Sequence, residues 1–89
     1  MIPKYRLPAH PGEILFEEFI LPRKMTQVDL ARKIKVPIQR INTLIHGKRD
    51  MTPETAILLA GFFKTSPEFW MNSQTQREIA IAQQRIATV

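Results

Sequence analysis

The sequence predicts an all-α fold of five helices joined by short connections. Apolar residues recur at helical spacing, capping residues or prolines stand at the starts of segments, and no segment alternates with period two for long. With 89 residues, a hydrophobic fraction of 44% and a charged fraction of 24%, the chain suits one globular domain. We expect that domain over residues 10–89, behind an extended strap at residues 1–9 that contains Pro3 and Pro8.

Prolines and capping residues set the expected ends of the outer helices. Helix 1 should begin at Pro11 and cannot continue through Pro22, because proline fits the first helical turn and not the interior. A hydroxyl residue followed by proline opens helices 4 and 5, at residues 52–53 and 66–67, and helix 5 runs as far as Ile86. The residues expected to face the core in helices 1 and 4 are Leu15, Phe16, Phe19, Ile20, Ala56, Leu59, Ala60 and Phe63.

Residues 26–47 hold two short helices parted by a tight turn, which predicts a helix-turn-helix. Thr26 caps helix 2 with Asp29 three residues on, Pro37 fits the first position of helix 3, and Gly47 suits a left-handed stop. Such a turn needs a small residue where the helices cross and apolar residues that hold the angle. These positions contain Leu30, Ala31, Ile34, Val36, Ile41 and Leu44, with Ile45 also facing inward.

Positive charge is concentrated around this motif. Residues 23–49 contain eight basic residues and one acidic residue, a net charge of +7, while the rest of the chain has a net charge of −2. Clustered charge of one sign repels itself, and nucleic-acid phosphates relieve that repulsion. A solvated basic surface without a ligand is the alternative, and charge alone does not decide between them.

The outward side of helix 3 carries side chains suited to the major groove. Glutamine can bond adenine, arginine can bond guanine or a phosphate, and the methyl groups of Ile38 and Thr43 can contact thymine. Gln27 lies where a helix N-terminus meets a phosphate, and flanking basic residues would hold the backbone. The predicted DNA-binding residues are Gln27, Lys35, Pro37, Ile38, Gln39, Arg40, Asn42, Thr43, Lys48 and Arg49.

The motif resembles that of the lambda-repressor-like (XRE) helix-turn-helix family. The stretches "HPGEIL", "MTQVDLA", "RINTLIHGKRDMTPETA" and "TSPEFWMN", within residues 10–72, look like those of a HigA-type antitoxin. The resemblance implies a five-helix lambda-repressor-like domain with a longer C-terminal helix. It also implies a homodimer that binds a near-palindromic operator of double-stranded DNA and neutralises a RelE/HigB-like toxin, a ribosome-dependent enzyme that cleaves messenger RNA.

Three departures from the family pattern lead to further expectations. The family usually has glycine where this chain has Lys35 and Lys64, so we expect both lysines to have positive φ, at a cost of about 1–2 kcal/mol each. Replacing Lys35 by glycine should then stabilise the fold. In helix 5 the family tends to leucine and an aromatic residue where this chain has Ser73 and Arg77.

Apolar residues of helix 5 are candidates for the dimer interface. They are Phe69, Trp70, Ile79, Ala82 and Ile86. Phe69 and Trp70, in the first turn, are also candidates for the core or, less favoured, for a toxin-docking patch. The last residues, after Gln83, could equally fray.

Other features bound the function. There is no cysteine, and His10, Glu13 and the isolated His46 are too few for a metal site, so we take the histidines as surface or capping residues. With no nucleophile set or phosphate loop, we expect no enzyme activity, no cofactor and no metal. The chain has no apolar run of spanning length and no leader pattern, which predicts a cytoplasmic protein.

Three competing functions stay open at this stage. The chain could be a stand-alone XRE-type transcription regulator, and nothing in its sequence separates that from an antitoxin. It could be the toxin itself, a small basic ribonuclease, although the strand signals expected of such a protein are missing. It could also be an interaction module whose basic face binds an acidic protein.

Overall fold

A computed structural model describes residues 7–87, and all its regular structure is helical over that range. Helix α1 (Pro11–Ile14) continues directly as a π-helical segment (Leu15–Ile20), and together they form the first of five helices. The others are α2 (Gln27–Ile34), α3 (Ile38–Ile45), α4 (Pro53–Phe63) and α5 (Pro67–Ala87). The predicted all-α, five-helix fold is confirmed. Most of the predicted strap lies outside the described residues, and its described part, residues 7–9, is not helical.

Side-chain caps begin four of the helices. The Thr26 hydroxyl accepts a hydrogen bond from the Asp29 N–H, and Asp29 Oδ2 accepts one from the Thr26 N–H. Both donor–acceptor distances are 3.0 Å. This reciprocal bonding confirms the predicted capping box, and it holds the pKa of the Asp29 carboxyl below its usual value. Hydroxyls at residues 52 and 66 cap α4 and α5 as predicted. His10 caps α1, where its Nδ1 accepts from the Gly12 N–H at 2.9 Å.

One predicted helix boundary needs correction, and the first helix has a π-helical end that the sequence does not predict. The first helix widens to a π-helix and ends at Ile20, before Pro22, with the Leu21 N–H bonded to the Phe16 carbonyl at 2.9 Å. A regular 3.6-residue pattern carries no signal for such five-residue bonding. Pro37 is the N-cap of α3 and not its first helical residue, because its backbone is extended (ψ 144°).

The core forms where the helical spacing predicts it. Each helix from α2 to α4 buries one apolar side, and the buried residues are Leu30, Ala31, Ile34, Ile41, Leu44, Ala56, Leu59, Ala60 and Phe63. In the first helix Leu15 and Ile20 are buried, while Phe16 and Phe19 are half-buried against the core. Met51, in the connection before α4, is buried too, although no helical period marks it.

Trp70 is part of this core. Its side chain is 0% exposed, and its Nε1–H donates to the Thr65 hydroxyl at 2.9 Å. The Phe19 ring centre lies 5.0 Å from that of the indole. The prediction that Trp70 lies in the dimer interface is therefore wrong, because the surrounding chain leaves none of its surface for a partner.

The outer helices support the helix-turn-helix from behind. α1 packs on α3, α4 packs on α2, and α5 packs on both α1 and α4. The Gln74 side chain on α5 bonds both the N–H and the carbonyl of Met51, which anchors the segment between α3 and α4. None of the helices within residues 7–87 is long and apolar enough to cross a membrane.

Candidate nucleic-acid interface

In the turn between α2 and α3, the backbone of Lys35 adopts the left-handed helical conformation. Lys35 has φ 61° and ψ 49°, and its N–H bonds the Ala31 carbonyl. Ala31 is 5% exposed, as expected of the small residue where the two helices cross. Positive φ is thus confirmed at Lys35, and also at Lys64 (φ 62°) and Gly47 (φ 72°). Lys24 adopts it as well (φ 55°), although no sequence pattern predicts this.

α3 is fixed by one side and open on the other. Ile41 and Leu44 are 0% exposed, whereas Gln39 and Asn42 are exposed and Thr43 is half-buried. Gln39 is near the middle of the open side, and within residues 7–87 its side chain makes no hydrogen bond. Ile38 and Arg40, at the edges of this side, are half-buried.

Gln27 and Asn42 join the open side of α3 to the start of α2. Asn42 Nδ2 donates a hydrogen bond to Gln27 Oε1 at a distance of 3.2 Å. Because the Gln27 oxygen is engaged, its amide NH₂ is the group left to donate elsewhere, beside the free backbone N–H groups of the α2 N-terminus. This pairing brings together two residues that the sequence predicted as separate DNA contacts.

Thr43 and Arg49 form a second link. The Thr43 hydroxyl donates to the Gln39 carbonyl at 2.7 Å, and Arg49 Nε–H donates to the same hydroxyl at 3.3 Å. Arg49 lies in the connection that follows α3, so the pairing depends on how that connection folds. The spacing of the two residues in the sequence gives no sign of it.

The remaining predicted residues surround these links. Lys35 and Pro37 are exposed in the turn before α3, and Lys48 is exposed in the connection after it. Of the eight basic residues between positions 23 and 49, seven are exposed and Arg40 is half-buried. The structure therefore places the predicted DNA-binding residues on α3, at the start of α2 and in the adjoining connections, within a basic surface.

A polar cavity of about 470 Å³ lies behind the C-terminal end of α3. His10, Glu13, His46, Asp50 and Arg77 are among its lining residues. Burial and the nearby Arg77 charge lower the pKa of His10 below its ordinary value, although the carboxylates of Asp50 and Glu13 oppose this. Among the residues that the structure describes, no three histidine or acidic side chains are grouped so that they could hold a metal ion.

Two short helices joined by a tight turn, the second with one side open beside exposed basic residues, define the helix-turn-helix class of DNA-binding folds. The chain belongs to the helix-turn-helix family HTH_3, whose model matches residues 17–70. The virulence-associated protein I of Dichelobacter nodosus is 37% identical over 82 residues, which cover 91% of this chain and 76% of that protein.

Two solved structures are similar over almost the whole chain. An addiction module antidote protein of the HigA family from Coxiella burnetii is 40% identical, with a TM-score of 0.85 over 93% of this chain and 90% of that chain. The antitoxin HigA of Pseudomonas aeruginosa, solved with the higBA promoter, is 36% identical, with a TM-score of 0.84 over 91% of this chain and 88% of that chain. The predicted resemblance to HigA-type antitoxins and the lambda-repressor-like fold are confirmed.

Proposed function

We propose that the chain is a sequence-specific DNA-binding antitoxin of a type II toxin–antitoxin pair. It represses its own operon and neutralises a toxin that cleaves messenger RNA by binding the toxin protein. The observation that carries the proposal is the open side of α3, with Gln39 near its middle and basic residues around it. Similarity to a HigA antitoxin that was solved with its promoter supports the choice of DNA as the ligand.

The proposed interface divides into base contacts and backbone contacts. Gln39, with Ile38 and Arg40 beside it, enters the major groove. Gln27 meets a phosphate at the α2 N-terminus, and Lys35, Lys48 and Arg49 hold the backbone on either side. The proposed domain covers residues 10–89, with the strap at residues 1–9 in front of it.

A homodimer would present two such interfaces to one duplex. Phe69, Ile79 and Ile86 on α5 are 38%, 52% and 73% exposed, and Ala82 is half-buried, so each has surface to offer a second copy. Two-fold symmetry separates the recognition helices by about 34 Å, one turn of DNA, and calls for a near-palindromic operator.

The toxin in this proposal is a RelE/HigB-like protein, and the chain acts on it by binding and not by catalysis. The matched relatives are regulators and antitoxins, which supports a binding role. The proposal includes a cytoplasmic location, because the operon and the ribosome-dependent toxin are found there.

Two measurements test the two halves of the proposal. In a mobility-shift titration, the chain should bind the duplex upstream of its own gene more tightly than a shuffled duplex of equal length. The logarithm of affinity should fall with the logarithm of salt concentration, with a slope of about −0.9 per phosphate neutralised. Equal affinity for both duplexes would refute sequence-specific repression.

Co-purification with the product of the adjacent gene tests the antitoxin half. A stable complex that suppresses messenger-RNA cleavage by that product is the expected result. Specific DNA binding without any such complex would instead identify a stand-alone regulator. Failure to bind even random duplex at low salt would favour a module for acidic proteins.

A further inference from the structure

Thr43 lies on the open side of α3, but its hydroxyl is already committed within the chain. We infer that Thr43 is a positioning residue whose hydroxyl sets the Arg49 guanidinium for a DNA phosphate beside the groove. The sequence alone suggests that the Thr43 methyl group contacts thymine, and this inference replaces that role. This inference rests on the proposed DNA binding.

The donor and acceptor roles of the Thr43 hydroxyl support this positioning role. A threonine hydroxyl has one hydrogen to donate, and here the Gln39 carbonyl takes it at 2.7 Å. The oxygen therefore presents a lone pair, and Arg49 Nε–H, which can only donate, lies 3.3 Å away. The hydroxyl thus donates to the Gln39 carbonyl and accepts from Arg49, and it keeps no hydrogen to donate to a base.

The remaining geometry prepares Arg49 for an anion. With Nε engaged, the two terminal NH₂ groups of the exposed guanidinium stay available, and these can bond a phosphate through two parallel bonds. The Lys48 N–H bonds the Thr43 carbonyl at 2.8 Å, so the backbone next to Arg49 is tied to the same residue. One bond from Thr43 thus restricts the Arg49 side chain and the other restricts the backbone beside it, so Arg49 loses less rotational freedom on binding DNA.

Two substitutions separate positioning from base reading. Thr43→Val keeps the shape and the methyl group but replaces the hydroxyl with a second methyl, whereas Thr43→Ser keeps the hydroxyl and removes the methyl. A positioning residue should tolerate serine and not valine, and a thymine reader should show the reverse. Melting temperatures of the free variants check that each one folds.

The experiment measures the affinity of the full chain for its upstream duplex and for a shuffled duplex over a range of salt concentrations. Thr43→Val should weaken binding to both duplexes by about three- to tenfold, because a phosphate contact carries no sequence information. Thr43→Ser should bind as the unsubstituted chain does. Arg49→Gln should reduce the salt slope by about 0.9, and adding Thr43→Val to Arg49→Gln should cause no further loss.

Several results would overturn the inference while leaving the proposed function intact. These are unchanged binding by Thr43→Val, a loss confined to the upstream duplex in Thr43→Ser, or a full additional loss when Thr43→Val is added to Arg49→Gln. Hydrogen exchange of Arg49 Nε–H in the free chain gives a second readout. It should be slower in the unsubstituted chain and Thr43→Ser than in Thr43→Val, and equal rates would also refute the link. An unsubstituted chain that binds neither duplex at low salt would overturn the proposed function and this inference together.

Discussion

Gly12 of α1 lies directly against the backbone of Leu44 in α3. A Cβ added at Gly12 would lie 1.8 Å from the Leu44 carbonyl oxygen and 2.9 Å from the Ile45 Cα. Both obstacles are backbone atoms of the recognition helix, and Leu44 itself is 0% exposed. The missing side chain is therefore what allows α1 to pack behind the last turn of α3.

Gly12→Ala should consequently separate α1 from α3. We expect the free energy of unfolding to fall by at least about 1–3 kcal/mol, the usual cost of overpacking, together with weaker DNA binding. Gly61→Ala is the matched control, since a Cβ there meets nothing within 4 Å and alanine favours the α4 helix by about 0.5–1 kcal/mol. Thermal denaturation should show a lower melting temperature for Gly12→Ala and a higher one for Gly61→Ala. A Gly12→Ala variant as stable as the unsubstituted chain would contradict the close contact.

Gln39 should contribute more to sequence discrimination than any other residue on α3. It is exposed near the middle of the open side, and its amide is not engaged by another described residue. We expect Gln39→Ala to reduce affinity for the upstream duplex by about tenfold or more, which corresponds to the 1–3 kcal/mol of a bidentate base contact. Affinity for the shuffled duplex should hardly change.

Gln76→Ala, on the exposed surface of α5, is the control for loss of a glutamine away from the proposed interface. It should bind both duplexes normally. Anisotropy titrations at one fixed salt concentration provide the comparison. An equal loss on both duplexes for Gln39→Ala would assign Gln39 to the DNA backbone instead.

The helices, their caps and their buried sides could be predicted from the sequence, whereas individual contacts between distant or irregular segments could not. Caps and prolines act within a few residues, so the start of α2 at Gln27 is predictable from the sequence, whereas the left-handed conformation of Lys35 is predictable only from the glycine that the resembling family has at that position. For Trp70 the sequence does not decide between the core and the dimer interface, because its burial depends on contacts with residues such as Phe19, about fifty positions away. The Thr43–Arg49 bond depends on the path of an irregular connection, for which no periodic pattern exists.

The left-handed lysines predict a gain in stability on substitution by glycine. Lys35→Gly and Lys64→Gly each relieve a positive φ that costs about 1–2 kcal/mol, but each loses a favourable charge at a helix C-terminus and makes the unfolded chain more flexible. We expect a net gain of about 0.5–1 kcal/mol, or several degrees in melting temperature.

Lys33→Gly is the control for these variants, because Lys33 is a regular, exposed residue of α2. Glycine there should cost about 1 kcal/mol. Melting in the absence of DNA keeps stability separate from any loss of phosphate contacts at Lys35. A melting temperature that is unchanged or lower in both Lys35→Gly and Lys64→Gly would show that positive φ is not costly in these turns.

His10 should make part of the stability depend on pH. Its Nδ1 caps α1 by accepting from the Gly12 N–H, and a proton added to Nδ1 would abolish that bond. Burial, followed by the Arg77 charge, lowers the pKa of His10 in the folded chain below the ordinary value of 6.5. The unfolded chain therefore binds the proton more readily, so this contribution is fully present above about pH 6.5 and is lost as pH falls towards the folded pKa.

His10→Asn tests this assignment, because asparagine also caps helices and does not titrate in this range. Urea denaturation at several values between about pH 7.5 and pH 5 should give a smaller fall in unfolding free energy for His10→Asn than for the unsubstituted chain. If His10→Asn lost stability as steeply as the unsubstituted chain, the titrating group would have to be sought elsewhere.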